Sequence, residues 1–517
     1  MTTTVIIGGV AGGMSAATRL RRRDEDMEII VLEASGHVSF ANCGLPYHLS
    51  GTIPGREQLL LQTPESLKSR FNLDVRVNTR ATAIDRTAKT VTTDTGETIS
   101  YDNLILSPGA APIQVPGALT LRNVEDLDAI MEAVEGKASA TIIGGGFIGL
   151  EVAENLAKRG MEVTVIEGGP QVMAPLDPEM AAIVAKRLKD NGVTVITDTI
   201  VKDISDLNSD VVIAAIGVRP ATELAKAAGL ETNRGIIVDE MMRTSDPNIW
   251  AVGDAVEKRH ANDGELALVP LAQTANRHGR LVADVITGRA TNAKQVLGTA
   301  VVGVFGLTVA TVGWAEKTAR ALGRNVRAIH LHPANHAGYY PGATTIHLKL
   351  VVDADTDAIL GAQAIGEDGA DKRIDVIATA MRGGLTASDL ADLELAYAPQ
   401  FGSAKDPINM VGFINDNIVG GEKTVQYHEV TDYVSAGWKL IDVRTTAEHN
   451  AGTIEGATNV PVDEIRDRLD EFTGEKVLVF CQVGMRGHTA ASLLRNKGVE
   501  VANVDGGYLT WSLAGGA

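Results

Sequence analysis

A chain of 517 residues with only 2 cysteines has the length of three or four domains, at about 100–200 residues each, and cannot be a disulfide scaffold. Its 47 Lys and Arg against 65 Asp and Glu leave a net charge of −18, which excludes a general binder of nucleic acid or anionic membrane. An apolar content of 44% and a charged content of 22% are those of a globular protein, and sparse cysteine points to a reducing, cytoplasmic setting. Glycine is enriched, at 54 residues, as expected where backbone must approach closely, for example at phosphates. Residues 1–18 carry no charged side chain and Arg19, Arg21, Arg22 and Arg23 follow, the reverse of the order in a signal peptide.

Residues 4–9 read as a short buried strand running into glycine, and a helix opens at Ala11. Gly8, Gly9, Val10, Ala11, Gly12 and Gly13 form a strand–turn–helix whose backbone N–H groups suit a pyrophosphate. The middle glycine of the usual pattern is Val10. A second strand, residues 29–33, ends in Glu33, 20 residues after Gly13, where a ribose hydroxyl would be held. The alternative is a βαβ unit without a ligand. On the first helix Ser15, Arg19 and Arg22 share one face. They read either as a clamp for a phosphorylated nucleotide or as cations favouring a helix C-terminus.

Residues 36–48 form a Gly-, Pro- and Asn-containing loop around Cys43. Position 48, where an internal dithiol would place its second cysteine, is His48, and Cys481 is far away in sequence. Cys43 is therefore expected to cycle through a mixed disulfide with a small thiol or through a sulfenic acid, rather than to be an inert loop cysteine. Residues 141–149 repeat the phosphate loop with all three glycines, Gly144, Gly146 and Gly149, followed by a helix, a strand and Glu167. No Arg or Lys lies between Glu167 and Lys186, which favours NADH and leaves NADPH open. Two such units imply two dinucleotides, one a held flavin and one a diffusing nicotinamide.

Gly253-Asp254 closes a further strand, and Pro270, Leu271 and Ala272 begin a helix whose N-terminus suits an anionic reduced flavin. Residues 104–109 and 215–220 look like the crossovers between two binding domains. Residues 295–315 are uncharged and long enough to span a bilayer, but glycines and threonines dilute them, so buried strand and turn are expected. Residues 300–415 hold no dinucleotide pattern. Their Tyr339, Tyr340 and Tyr397 read either as plugs of a subunit interface or as functional groups. From about residue 424 a new module carries Asp442, Arg444, Glu448 and Asn459. Its loop from Cys481 to Arg486 would curl amide N–H groups around one sulfur. No metal site is read.

The stretch Ser39-Phe-Ala-Asn42-Cys43-Gly44-Leu45-Pro46-Tyr47 resembles the active-site loop of coenzyme A-disulfide reductases and their NADH-dependent persulfide-reductase relatives, over residues 1–415. Residues 426–517 resemble a single-domain rhodanese. The resemblance implies FAD, with Asp254 on its ribityl chain. It also implies a homodimer in which Tyr339 and Tyr397 reach the other subunit's cysteine, Tyr340 competing for the first place. It assigns coenzyme A to Ser15, Arg19, Arg22, Ser39, Asn42 and Lys405. Family members often carry a basic residue near position 71, where this chain has Phe71.

The expected fold is α/β. It has two Rossmann-like domains for FAD (1–115 with 245–298) and NADH (116–244), an α+β dimerisation domain (299–423) and an α/β rhodanese domain (424–517). The expected activity is NADH-dependent reduction of coenzyme A disulfide, coenzyme A persulfide or polysulfide through Cys43, with Cys481 carrying sulfane sulfur. An NADH oxidase or peroxidase using a Cys43 sulfenate is the alternative, weakened because residues 8–13 hold no histidine. A sulfur carrier acting through Cys481 is a third reading.

Overall fold

The computed structural model describes residues 2–515, and the chain separates into two compact units. The first runs to Pro170 and resumes over Gly192–Gly298. Its core is a five-stranded parallel sheet in the order Ile249–Ala251, Asn103–Leu106, Thr3–Ile7, Glu28–Leu32, Asp74–Arg76. A parallel sheet is covered on both faces, which explains unbroken apolar runs such as Val5-Ile6-Ile7 and Ile29-Ile30-Val31-Leu32, all buried. The helices Ala11–Arg23 and Ala272–Ile286 pack against each other backbone to backbone: a Cβ on Gly279 would fall on the carbonyl of Gly12.

A second parallel sheet in this unit has the order Thr194–Ile196, Glu162–Ile166, Ser139–Ile143, Val211–Ala214, with the helix Phe147–Lys158 after its central strand. The strands Ala110–Pro112 and Val218–Pro220, which immediately follow or end the two crossover stretches, pair antiparallel with each other. A small antiparallel meander spans Ala81–Asp85, Thr90–Thr93 and Thr98–Ser100.

The second unit comprises Gln171–Asn191 and the chain from Thr299 on. It therefore takes in the helix Pro178–Asp190, which lies in sequence between strands of the first unit. Its antiparallel sheet has the order Ala300–Val304, Leu307–Gly313, Ile359–Gly366, His347–Asp353, Val326–Leu331. The uncharged stretch 295–315 is thus a hairpin turning at Phe305 and Gly306, both with positive φ. Among the described residues no helix is long and apolar enough to cross a membrane. The C-terminal part is a parallel sheet ordered Thr424–Val425, Glu500–Val504, Lys476–Phe480, Lys439–Asp442, Thr458–Asn459. Two Rossmann-like domains, an α+β domain and a terminal α/β domain make up the chain.

Candidate active sites and family membership

The two phosphate loops share one geometry. The Gly9 N–H donates to Glu33 Oε2 at 2.8 Å, and the Gly145 N–H donates to Glu167 Oε2 at 2.7 Å. In each unit a carboxylate at the end of the second strand thus reaches back to the glycine turn. Gly8 has φ +101, and a Cβ there would fall on the Ser107 carbonyl, so both its conformation and its packing demand glycine. Val10, in place of the middle glycine, caps the following helix with φ −111 and ψ −132. Gly146 has nothing within 4 Å of a Cβ and leaves its turn open to an approaching phosphate.

Asp254 sits in the short turn Gly253–Ala255, and its Oδ1 is buried with no hydrogen-bond partner. An orphaned buried carboxylate oxygen is costly unless a ligand supplies a donor, and a ribityl hydroxyl is such a donor. Burial pushes the Asp254 carboxyl up, against the pull of Lys258 and Arg122. Lys258 is buried beneath the same turn and donates to the carbonyls of Gly253 and Val269 at 2.8 and 3.0 Å. Burial lowers its pKa to about 8. Sequence reasoning missed this lysine, because a Lys in the strand Glu257–Arg259 gives no sign of which way it points. The helix beginning at Ala272 follows Pro270 and Leu271, with Leu271 as its cap.

Cys43 lies in the single turn Asn42–Gly44, leading into the helix Leu45–Leu49. The Ser39 N–H donates to the Gly9 carbonyl at 2.8 Å, which ties this loop to the first phosphate turn. Ser39 itself has φ +48, a strained backbone for a non-glycine residue. The other end of the loop rests on the helix of the second phosphate loop. Tyr47 donates its hydroxyl to Glu151 at 2.9 Å, Ser50 donates to Asn155 at 2.6 Å, and Arg159 donates to the Leu49 carbonyl at 3.1 Å. None of these three contacts was read from the sequence, although Glu151 lies only two residues beyond Gly149. His48, in place of a second cysteine, sets its Nδ1 2.7 Å from the Ile53 carbonyl and so holds the loop. The Cys43 side chain reaches the surface, yet partial desolvation, then the charges of Glu151 and Asp254, push its thiol up.

The arginine cluster divides its work. Arg21 is buried and donates to the carbonyls of Phe71, Glu25, Met27 and others, so it is structural. Arg19 is bound to the buried Asp284 at 2.7 Å, and Ser15 donates to Asn276 at 2.5 Å. Arg22 is exposed, stacks over the Phe71 ring at 5.8 Å and has no carboxylate partner among the described residues. The stripe therefore offers a free cation at Arg22, with Arg19 already neutralised. Asn42 is exposed beside Cys43, and Lys405, in the second unit, is exposed as well.

In the second unit Tyr339, 77% exposed, sets its hydroxyl 3.1 Å from that of Tyr397. This bond raises the pKa of Tyr397. Tyr340 instead packs edge-on against His336. Cys481, 1% exposed, immediately follows the strand Lys476–Phe480, and its sulfur accepts the Gly484 N–H at 3.1 Å. Arg486 holds Glu448 with two bonds of 2.6 and 2.8 Å. Those bonds keep Glu448 at about 2 and raise the Arg486 pKa, with smaller contributions from the Cys481 sulfur. Arg444 pairs with Asp442 at 2.7 Å, lies 4.2 Å from the Tyr508 ring centre and donates to Gln482 at 3.1 Å, while Asn459 Nδ2 donates to the carbonyls of Asp442 and Arg444.

Residues 2–279 match the pyridine nucleotide-disulphide oxidoreductase family, residues 299–406 its dimerisation domain, and residues 427–514 the rhodanese-like domain. A coenzyme A disulfide reductase of Staphylococcus haemolyticus is 34% identical over 433 residues, 79% of this chain and 98% of the relative. The crystal structure of reduced Bacillus anthracis CoADR-RHD superposes with a TM-score of 0.97 at 46% identity, covering 99% of this chain and 98% of the other. A NAD-dependent persulfide reductase from A. fulgidus gives a TM-score of 0.92 at 36% identity, over 99% and 100% of the two chains. The chain belongs to the pyridine nucleotide-disulphide oxidoreductase family, in its branch of coenzyme A disulfide and persulfide reductases, and carries a C-terminal rhodanese-like domain.

Proposed function

We propose that this enzyme uses NADH to reduce coenzyme A disulfide, coenzyme A persulfide or polysulfide through a mixed disulfide between Cys43 and coenzyme A. One observation carries the reading. The Cys43 loop is tied at one end to the first phosphate turn, by the Ser39 N–H on the Gly9 carbonyl, and at the other to the helix of the second dinucleotide loop, by Tyr47 on Glu151. Residues Gly8 to Gly13, Glu33 and Asp254 would hold FAD, with Pro270, Leu271 and Ala272 at the nearby helix start. Gly144, Gly146, Gly149 and Glu167 would hold NADH. When bound, FAD supplies a two-electron path from NADH to a disulfide.

Polysulfide would first pass a sulfur to coenzyme A thiolate, giving coenzyme A persulfide and a polysulfide one sulfur shorter; the Cys43 sulfur then attacks the coenzyme A sulfur of the persulfide or disulfide. The S–S bond breaks and expels HS⁻ from a persulfide, or coenzyme A thiolate from a disulfide. Two electrons then cleave the mixed disulfide into coenzyme A thiolate and Cys43 thiolate. Arg22, Ser15, Arg19, Ser39, Asn42 and Lys405 are the proposed coenzyme A contacts, with Arg22 as the free cation for its phosphates. In a homodimer, Tyr339 of the partner subunit and Tyr397 of the partner subunit would hydrogen-bond the departing thiol. Cys481, beside Arg486, would carry sulfane sulfur. Two free thiols and small thiol substrates suit a cytoplasmic enzyme.

Mass spectrometry of the protein as purified tests this. Coenzyme A is expected on Cys43 and is removed by reductant. A Cys43→Ser variant that still reduced coenzyme A persulfide with NADH at the full rate would end the proposal.

A further inference from the structure

In the second unit a group of buried ionisable side chains lies outside every site described above. His330, on the strand Val326–Leu331, is 3% exposed and faces two carboxylates. Its Nδ1 is 2.6 Å from Asp505 Oδ2 and its Nε2 is 3.1 Å from Glu179 Oε1. Both acceptors are satisfied together only by an imidazolium donating twice. The His330 backbone N–H also donates to both Asp505 oxygens, at 3.1 and 3.0 Å, and Gln426 donates its Nε2 to Oδ2 at 3.1 Å. Lys349 lies on the far side, shared among Glu179, Asp177 and Glu316 at 2.5, 3.0 and 2.7 Å. Tyr427 donates to the second oxygen of Glu179 at 3.1 Å.

Asp505 is not an isolated anchor. It precedes Gly506 and Gly507, and the helix Gly507–Leu513 starts there. The first amides of that helix carry the rhodanese loop: the Tyr508 N–H donates to the Cys481 carbonyl at 2.8 Å and the Leu509 N–H to the Gln482 carbonyl at 2.9 Å. Gly507 has φ +64, and a Cβ on it would strike the Cys481 carbonyl and stand 3.0 Å from the Gly484 nitrogen. A Cβ on Gly506 would stand 2.8 Å from His330 Cβ. Two residues beyond His330, His332 sets its Nε2 2.7 Å from Thr510 of the same helix. The strand of the dimerisation domain, the Asp505 turn and the Cys481 loop therefore form one hydrogen-bonded stack without slack.

We propose that His330 and Asp505 are positioning residues for sulfur transfer at Cys481, so that the dimerisation strand sets the geometry of the rhodanese loop. His330→Gln takes the formal cation from Asp505 and leaves it only neutral donors, the residue-330 amide and Gln426, while Asp505→Asn leaves His330 with Glu179 alone, so in either case the Asp505 turn must shift. The Cys481 and Gln482 carbonyls then lose their donors, and the Gly484 amide moves off the sulfur. The inference rests on Cys481 being the sulfur carrier.

The test uses the full chain in a Cys43→Ser background, with thiosulfate as donor and cyanide as acceptor. Cys481 thiolate takes the sulfane sulfur and releases sulfite; cyanide removes it as thiocyanate and returns the thiolate. His330→Gln and Asp505→Asn are each expected to slow transfer at least tenfold. The double variant should be little worse than either single one, because the two act as a unit. The loss should fall on kcat for sulfur transfer, with KM for thiosulfate little changed, as the loop amide withdraws from the sulfur. With Cys43 restored, NADH-dependent reduction of coenzyme A disulfide should stay within twofold. Unchanged transfer in the folded variants, or a loss confined to KM, would overturn the proposal. Should those variants not fold, Gln426→Leu removes one donor to the same carboxylate and keeps the ion pair. A several-fold loss of transfer there supports the proposal, and no loss overturns it. Retained transfer in Cys481→Ser would instead refute the sulfur-carrier reading itself.

Discussion

Cys43 and Cys481 sit in loops that solve opposite problems. Cys43 is at the surface, near the half-buried carboxylates Glu151 and Asp254, and its thiol is held up by partial desolvation and by those charges. Cys481 is buried at a strand end, accepts a backbone N–H and has the Arg486 guanidinium nearby. A thiol becomes a good nucleophile when its surroundings favour the thiolate. The Cys481 loop sets a backbone N–H, that of Gly484, against the sulfur. At Cys43 the chain's own side chains oppose the thiolate, so under the proposed mechanism the substrate arm and the dinucleotides would tip the balance. One cysteine is preorganised by the fold; the other is poised to respond to what binds.

The largest effects should separate the two loops outright. Cys43→Ser is expected to cut NADH-dependent reduction of coenzyme A disulfide by roughly a thousandfold or more, and Cys481→Ser to do the same to sulfur transfer, each leaving the other activity intact. Steady-state assays of both activities on both variants check this. Loss of both activities in either variant would mean that the loops work as one relay.

Next comes the buried network behind Cys481. The His330 pKa is about 9 in the folded chain, raised by Asp505 and Glu179 against the cost of burial and the repulsion of Lys349, with Tyr427 and His332 also close by. It lies above the ordinary histidine value, so protonation stabilises the folded state. That stabilisation is complete below about pH 6.5 and is lost as pH rises through about 9, and it is on the order of 3 kcal/mol. Urea unfolding at pH 7 and pH 10 should show this loss in the wild type and not in His330→Gln. Equal losses in the two proteins would refute it.

At Cys43 a smaller effect is expected from Asp254→Leu, which removes the orphaned carboxylate without leaving a cavity. A charged hydrogen bond contributes about 1.5–3 kcal/mol, so flavin affinity should fall by about tenfold to a hundredfold with folding unimpaired. Flavin absorbance of the purified variant, with its thermal melt, measures both. The mildest change is Glu151→Gln. It takes away one of the charges that raise the Cys43 thiol, so the pH profile of Cys43 alkylation should move down. A shift upward would show that Tyr47, freed from Glu151, is the stronger influence.

Much of the candidate chemistry was legible in the chain because it is local. A strand running into Gly8 or Gly144 and opening a helix is dictated by the backbone of a few neighbouring residues. The carboxylates Glu33 and Glu167 follow at the ends of the next strands. The uncharged stretch 295–315 resolved into a hairpin because Phe305 and Gly306 supply the turn. The basic stripe was legible as a pattern but not in its effect. Arg19 is neutralised by Asp284, 265 residues away, and Arg21 faces inward to cap five carbonyls, while Arg22 alone of the stripe's charges stays open. Spacing on a helix tells which residues share a face, not what that face meets.

What the sequence determined by itself, then, is the pair of glycine loops, their carboxylates and the two isolated cysteines, because steric rules and short spacing govern each of them. The tertiary structure decided the partners. Tyr339 rather than Tyr340 meets Tyr397, Tyr47 finds Glu151 across 104 residues, and His330 finds Asp505 across 175. Such pairings depend on where packing brings distant segments of the chain, and a buried charge takes the partner that packing leaves within reach.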